Sequence, residues 1–347
     1  MTGAALRRGR LRELDALRGI GALLVINFHY STRFHELFPN VRHVPFRIGG
    51  GEYRVLLFFA ISGFAIFFSM AKLQYARDFV VGRVVRLLPA YWAAMCLTLL
   101  IEHLGHMTSL YIPPFAALIN ATMLQGFFFL PAVDGAYWTL TVEIAFYVCI
   151  LTLWWTCRLR HVERWLLGWL MLEMIFQFAW VNMPERIVML FILRYIPFFA
   201  IGMTIYRVWA GERSWWQQVP ILTAIVATVA VSRTYDMVIV ALLIILAFWA
   251  MVEGRLGWIC LRPLLWIGQI SYSLYLVHQH IGFTIILNAE TAGIDPLTSY
   301  VLAIAVAILL GYVVNRLVER PATLWLLDRW KRFRERSPLH AAPELKG

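Results

Sequence analysis

The stretch "LDALRGIGALLVINFHY", residues 14–30, decides how the rest of the chain is read. It is apolar enough to open a membrane helix, yet it carries Asp15 and Arg18 at one end and His29 near the other. On an α-helix eleven residues turn through about 1100°, so Arg18 and His29 return to within about 20° of one stripe, with a rise of about 16 Å between them. Ala22 and Val25 fall in that stripe, and Asp15 lies close to it. The rise is roughly half of the hydrocarbon core, which puts Arg18 near one mouth and His29 in the opposite half. Ionisable residues inside a membrane usually face a bundle interior or a cavity. Taken alone, His29 reads as a histidine hydrogen-bonded to a neighbouring helix; its company decides otherwise.

Composition agrees with a membrane setting. The chain of 347 residues is 61% hydrophobic and only 15% charged, more apolar surface than a soluble domain of this length can hide. The net charge is +11. Because the charge sits between apolar runs, it points to loops facing an anionic leaflet and not to nucleic acid. Cys96, Cys149, Cys157 and Cys260 are scattered and form no C-x-x-C pair, so they read as packing residues.

A bilayer takes about 20 mainly apolar residues per helix. On that length the spans fall at 16–31, 53–71, 83–104, 138–156, 164–181, 187–208, 216–232, 236–252, 266–288 and 299–318. The expectation is an all-α polytopic bundle of about ten transmembrane helices, with a membrane domain over 10–330 and a basic cytoplasmic tail over 331–347. The tail, within "DRWKRFRERSPLHAAPELKG", is too short and polar to fold alone. With the N-terminus inside, the inner ends hold 24 of the 31 basic residues, among them Arg7, Arg8, Arg10, Arg12 and Arg77. The other seven are Arg33, Arg42, Arg47, Arg54, Arg186, Arg194 and Arg233, and the loops 105–137 and 289–298 carry no lysine or arginine. The positive-inside rule then puts both termini in the cytoplasm. The first segment is not a cleaved signal, since His29-Tyr30-Ser31 offers no small-residue cleavage site.

Further polar residues stand inside these spans. "LLFFAISGFAIFFSM" carries Ser62, a hydrogen-bond donor, and Gly63, which permits close helix approach. In "GRVVRLLPAYW", Arg83 and Arg86 are three apart, share a helix face and can hold a phosphate as well as anchor the helix at the inner leaflet. "YWTLTVEIAFY" buries Glu143 about as deep as His29, and a carboxylate there has to find a partner. "ISYSLYLVHQH" places His278 in the middle-to-outer part of its span. "VERPA" sets Glu319 and Arg320 at the cytoplasmic face, where the pair reads as a structural clasp. His103-x-x-His106 has the spacing to share a metal, but no third ligand is evident and no metal is expected.

In this order the motifs resemble the acyltransferase 3 family of integral membrane acyltransferases. The matching elements are "LRGIGALLVINFH" with its R-x10-H spacing, "FFAISGF", "RVVRLLPAYW", "YWTLTVEIAFY", "SYSLYLVH" and the terminal "ERP", spread from Arg12 to Pro321. The resemblance implies a bundle of about ten helices. It implies transfer of an acyl group, often acetyl, from cytoplasmic acyl-CoA to a hydroxyl of a surface polysaccharide, O-antigen, peptidoglycan, Nod factor or macrolide. It also makes Arg18 and His29 the essential first-helix pair and Arg83 and Arg86 a functional arginine pair. Some relatives add an extracytoplasmic hydrolase-like domain; this sequence carries none, so transfer is expected to finish within the membrane domain.

Residues and resemblance then converge. Acyl-CoA, with acetyl-CoA as the expected form, is a donor substrate and not a permanently bound cofactor. Arg18, Arg83 and Arg86 suit its phosphates, and the arm would thread inward to present the acyl carbonyl near His29. His29 can act as general base on an acceptor hydroxyl or as a transiently acylated nucleophile. Glu143, or else Asp15, is expected to orient its imidazole. The expected acceptor is an envelope or exported glycan, with a small natural product such as a macrolide as the alternative. A proton- or substrate-coupled transporter is a reading of another class, disfavoured because no inverted repeat is seen.

Overall fold

The computed structural model describes residues 11–49, 53–71, 73–178, 184–232 and 234–336, and among these the regular structure is helical throughout, with no strand. The main helices are α1 (Arg12–Phe28), α2 (Tyr53–Met70), α3 (Ala76–Leu104), α4 (Trp138–Trp155), α5 (Val162–Phe178), α6 (Ile196–Trp209), α7 (Trp215–Ser232), α8 (Tyr235–Val252), α9 (Arg262–Val277), α10 (Gln279–Thr291), α11 (Pro296–Val314) and α12 (Arg320–Arg336). Arg7, Arg8, Arg10 and Arg233, the last residues of the expected span 164–181, and the tail beyond Arg336 lie outside the described residues.

Among the described residues, five helices are long and apolar enough to cross a bilayer by length and composition: Tyr53–Met70, Ala76–Leu104, Gly135–Trp155, Tyr235–Val252 and Pro296–Glu335. Two shorter apolar helices, Ile196–Trp209 and Trp215–Val231, join them. Several expected spans are therefore not uninterrupted helices. The run 187–208 divides into Glu185–Leu190 and α6, because Pro197 lacks an N–H and sits in the first turn of a new helix. The run 266–288 breaks at His278, whose carbonyl accepts the Tyr30 hydroxyl at 2.5 Å. The first helix does not stop at 31. It passes through a π-helical turn, His29–Arg33, into Phe34–Leu37. At the other end α11 continues through a second π-helical turn, Asn315–Glu319, into α12. Thus residues 331–336 extend a helix, which is tied to the start of α3 where Trp330 Nε1 and Arg334 Nη1 donate to Asp78 at 2.9 and 2.8 Å.

The outward faces are apolar. On α8, Ile239, Leu242, Leu243 and Leu246 are all exposed, as hydrocarbon would require and water would not tolerate. Inside, glycines set the closest crossings. A Cβ on Gly63 of α2 would run into the Phe199 carbonyl of α6, and one on Gly202 of α6 would run into the Ala60 carbonyl of α2. The same reciprocity joins α1 to α9: Gly19 faces the Leu264 carbonyl, and Gly268 faces the Asp15 carbonyl. Small residues let backbones meet where lipid offers no hydrophobic drive. The second crossing brings Asp15 and Arg18 beside α9 and so fixes one wall of the site.

Candidate active site

A cavity of about 230 Å³ opens between α1, α2, α3, α4 and α9. Arg18, Arg83, Arg86, Asp15, Glu143 and Glu319 line it, with Ser62, Tyr147, Tyr272, Tyr275 and Thr139. A second hollow of about 330 Å³ shares Asp15, Arg18, Ala65 and Arg86 with it and carries it on towards Leu11 and Ser69. One path therefore runs from the arginine end of α1 to Thr139 and Tyr275 at the other.

Charges along this path are held in different ways. Arg18 Nη1 meets Asp15 Oδ1 at 3.3 Å, an i, i+3 pair within one helix. Arg83 donates from Nη2 to Ser69 Oγ at 2.8 Å and stacks on Phe79 and Tyr147; its Nε is buried with no hydrogen-bond partner among the described residues. No carboxylate lies within ion-pair distance of Arg83 or Arg86 among the described residues. The acids opposite are occupied by neutral donors. Glu143 Oε1 accepts from Ser62 Oγ at 3.1 Å and from the Tyr147 hydroxyl. Glu319 Oε2 accepts from Ser273 Oγ at 2.5 Å and Asn315 Nδ2 at 2.8 Å. Two arginines poised over a cavity without acidic partners form a phosphate-binding pattern.

His29 stands just behind this path. Its Nδ1 lies 2.8 Å from His278 Nε2, and His278 Nδ1 lies 2.7 Å from the Tyr275 carbonyl. A carbonyl only accepts, so His278 carries its proton on Nδ1. In a neutral pair its Nε2 then accepts from His29 Nδ1–H, and the His29 Nε2 lone pair is left for chemistry. Tyr275 separates the pair from the cavity: it lines the cavity, and its ring centroid is 5.5 Å from that of His278. Its hydroxyl donates to the Ala136 carbonyl at 2.7 Å and lies 2.7 Å from Thr139 Oγ1.

The structure thus gathers Asp15, Arg18, Ser62, Arg83, Arg86, Glu143 and Glu319 around one cavity and sets His29 and His278 beside it. Two expectations change. The imidazole of His29 is oriented by His278 and not by Glu143 or Asp15, because the Glu143 carboxylate is taken by Ser62 and Tyr147. Glu319 and Arg320 do not clasp each other: Glu319 points inward to Ser273 and Asn315, whereas Arg320 is exposed and outside the cavity. Gly63 serves the α2–α6 crossing, while Ser62 serves Glu143. His103 and His106 are both exposed, and no group of three or more potential metal ligands occurs among the described residues.

Sequence reasoning missed a second buried cluster next door. Gly135 N–H donates to His280 Nε2 at 3.0 Å, so Nδ1 carries the proton and donates to Glu102 Oε1 at 2.6 Å. Asp134 accepts from His280 N at 2.9 Å and Ala136 N at 2.8 Å. This cluster pins the 134–137 turn, and hence the Ala136 carbonyl, against α10. The signal was present in the second histidine of "LVHQH" and in the Glu of "LLIEHLGH". In the second motif, though, the flanking histidines drew attention from the acid between apolar residues.

Among the described residues, apolar helices fit for several membrane crossings enclose a cavity lined by three arginines and three carboxylates, with a histidine pair beside it. Residues 11–316 match the family model of the acyltransferase 3 domain, described as an acyltransferase domain, and the chain belongs to that family. It is accordingly a membrane O-acyltransferase that takes an acyl donor and an acceptor, which sets the transporter reading aside. No curated protein and no solved structure matches the chain.

Proposed function

We propose that the protein moves an acyl group, acetyl in the simplest case, from cytoplasmic acyl-CoA to a hydroxyl of an extracytoplasmic glycan. The observation that carries this reading is the cavity from Arg18, Arg83 and Arg86 to Tyr275, whose ring alone stands between it and the His29–His278 pair. In the proposed arrangement the chain crosses the membrane about ten times with both termini inside, so that the arginine end opens to the cytoplasm. The CoA phosphates then meet Arg83 and Arg86 through charge-assisted hydrogen bonds. The pantetheine arm follows the cavity past Ser62 and Phe58 and brings the thioester to Tyr275 and Thr139.

With the Tyr275 ring turned aside, His29 acts there as general base. The acceptor oxygen attacks the thioester carbonyl while His29 Nε2 takes the hydroxyl proton; the C–S bond breaks as the tetrahedral intermediate collapses. The proton returns from His29 to the departing thiolate, which leaves as CoA–SH. Through both transfers His29 keeps its Nδ1–H on His278, and His278 keeps its own on the Tyr275 carbonyl. The pair therefore holds one tautomer and spreads the imidazolium charge without a carboxylate. Tyr111, Phe115, Leu118, Phe128 and Phe129 project from the 105–137 segment and are exposed, which suits an interfacial surface where a lipid-linked glycan approaches. A small apolar natural product such as a macrolide would use the same surface. The test is His29→Ala: transfer is lost while the protein still inserts in normal amount. Normal acylation by well-expressed His29→Ala protein would overturn the reading.

A further inference from the structure

Resting on that reading, we infer that the acceptor carries an anionic group, a phosphate or a carboxylate, and that Arg54 binds it beside His29. The charge distribution raises the question. Residues 32–54 hold Arg33, Arg42, Arg47 and Arg54 against Glu36 and Glu52, whereas the loops 105–137 and 289–298 contain only acids: Asp134, Glu290 and Asp295. If the first loop faces outward, it concentrates arginine on the side where basic residues are disfavoured. That concentration sits immediately after His29.

Most of these cations are already engaged. Arg33 pairs with Glu36 at 2.8 Å, Arg42 donates to the Ile294 carbonyl at 3.0 Å, and Arg47 lies against His35. Arg54 differs. Its Nη2 donates to the Ile48 carbonyl at 3.3 Å and to the Gly49 carbonyl, but its Nη1 is buried with no hydrogen-bond partner among the described residues. No carboxylate pairs with it among those residues. A partly buried guanidinium with one arm unused and no carboxylate against it among the described residues is costly by itself, and an oxyanion is what its planar fork fits.

Position assigns that oxyanion to the acceptor and not to the donor. The Arg54 guanidinium lies 5.1 Å from the centre of the Phe28 ring, and the Phe28 ring lies 5.2 Å from that of His29. Arg54 is thus one aromatic ring away from His29, whereas the donor arginines occupy the opposite end of α1. It is also held in place. The segment before α2 is strapped to the π-helical turn by Ile48 N–H to Thr32 Oγ1 at 3.1 Å, with the Thr32 hydroxyl returning to the Ile48 carbonyl at 3.1 Å. An anion on Nη1 would hold its molecule at the rim of the histidine pair, with a neighbouring hydroxyl free to reach His29 Nε2.

The experiment compares cells making wild-type, His29→Ala, Arg54→Gln and Arg54→Lys protein by untargeted mass spectrometry of envelope glycans, lipids and secreted metabolites. The acylated species present in wild type and absent in His29→Ala is then passed over an anion exchanger. The expected species binds, and its fragmentation shows a phosphate or a carboxylate on the acceptor. Arg54→Gln lowers its amount about tenfold or more. In purified protein the same variant keeps its acetyl-CoA affinity, and Arg54→Lys restores part of the product. A neutral or cationic acylated species overturns the inference outright, whatever the variants do. An anionic species made in normal amount by Arg54→Gln overturns the role of Arg54. If no species separates wild type from His29→Ala, it is the acyltransfer reading that fails, and this inference falls with it.

Discussion

At the scale of single residues, the proposed chemistry depends on a histidine oriented by another histidine. His278 is buried with its Nδ1 on the Tyr275 carbonyl, so replacing it removes the acceptor for His29 Nδ1–H and lets the ring turn. His278→Ala is expected to lower the transfer rate by about a hundredfold or more while leaving the acetyl-CoA KM unchanged, within the range a positioned general base supplies. A rate within a few-fold of wild type would remove His278 from the mechanism. The donor end makes the complementary prediction. Arg83→Ala with Arg86→Ala should weaken acetyl-CoA binding about tenfold or more, because a charge-assisted phosphate contact contributes roughly 1.5–3 kcal/mol. Calorimetry on purified protein measures this directly, and equal affinities would refute the placement. Spacing within one helix revealed Arg18, His29, Arg83 and Arg86, since those residues obey the helical repeat. The His29–His278 pair was hidden for the converse reason: a contact across 249 positions leaves no mark on either segment. Glu143 looked like the partner only because depth was the one coordinate available.

Among elements, the reciprocal glycine crossing of α1 and α9 sets the geometry of the donor mouth. Gly268 lines the cavity, and a methyl group there meets the Asp15 backbone, which cannot move aside as a flexible side chain can. Gly268→Ala should therefore push α1 from α9 and displace Arg18. Overpacking of this kind costs about 1–3 kcal/mol, so a lower unfolding temperature and weaker acetyl-CoA binding are expected together. Gly168, with open space around its Cβ position, is the control: Gly168→Ala should change neither. The start of α11 offers a pH test. Asp295 caps it, accepting from Leu297 N–H at 3.1 Å and Thr298 N–H at 3.0 Å, and its bonds to Thr298 hold the carboxyl below the usual aspartate range. A lowered native pKa means that the cap stabilises fully above the unfolded-state value and is lost as pH falls through the folded one. A fall in amide protection factors, that is, exchange rates corrected for their intrinsic pH dependence, is expected in the first turn of α11 on acidification, and it should be absent in Asp295→Asn. Hydropathy found the long helices because length alone defines them. It could not foresee the break at His278, where the nearest glycine is Gly282, four residues on, and where the carbonyl takes a tertiary bond from Tyr30 beside its own bond from Gly282 N–H.

For the whole molecule, the decisive question is which face holds which end of the path. Basic residues imply that the arginine end of α1 opens to the cytoplasm, where acyl-CoA is made, and that the 105–137 segment faces outward. Donor and acceptor would then enter from opposite sides and meet at His29. Cysteine accessibility tests this. Asp134 is a poor probe site, because its side chain is buried and caps two backbone amides. Tyr111, at 72% exposure, is a better one. On the other face, Glu335 is exposed near the end of α12. The native cysteines must first be replaced, above all Cys96 and Cys157, which are exposed. In that background Tyr111→Cys should react with a membrane-impermeant thiol reagent in intact cells, and Glu335→Cys only after permeabilisation. The reverse pattern would turn the molecule over, with Arg83 and Arg86 facing out and His29 in the cytoplasmic half. Acyl transfer could survive that result, since the cavity and the histidine pair are internal. The route from cytoplasmic donor to external acceptor could not, and the anionic acceptor assigned to Arg54 would then have to be sought inside the cell.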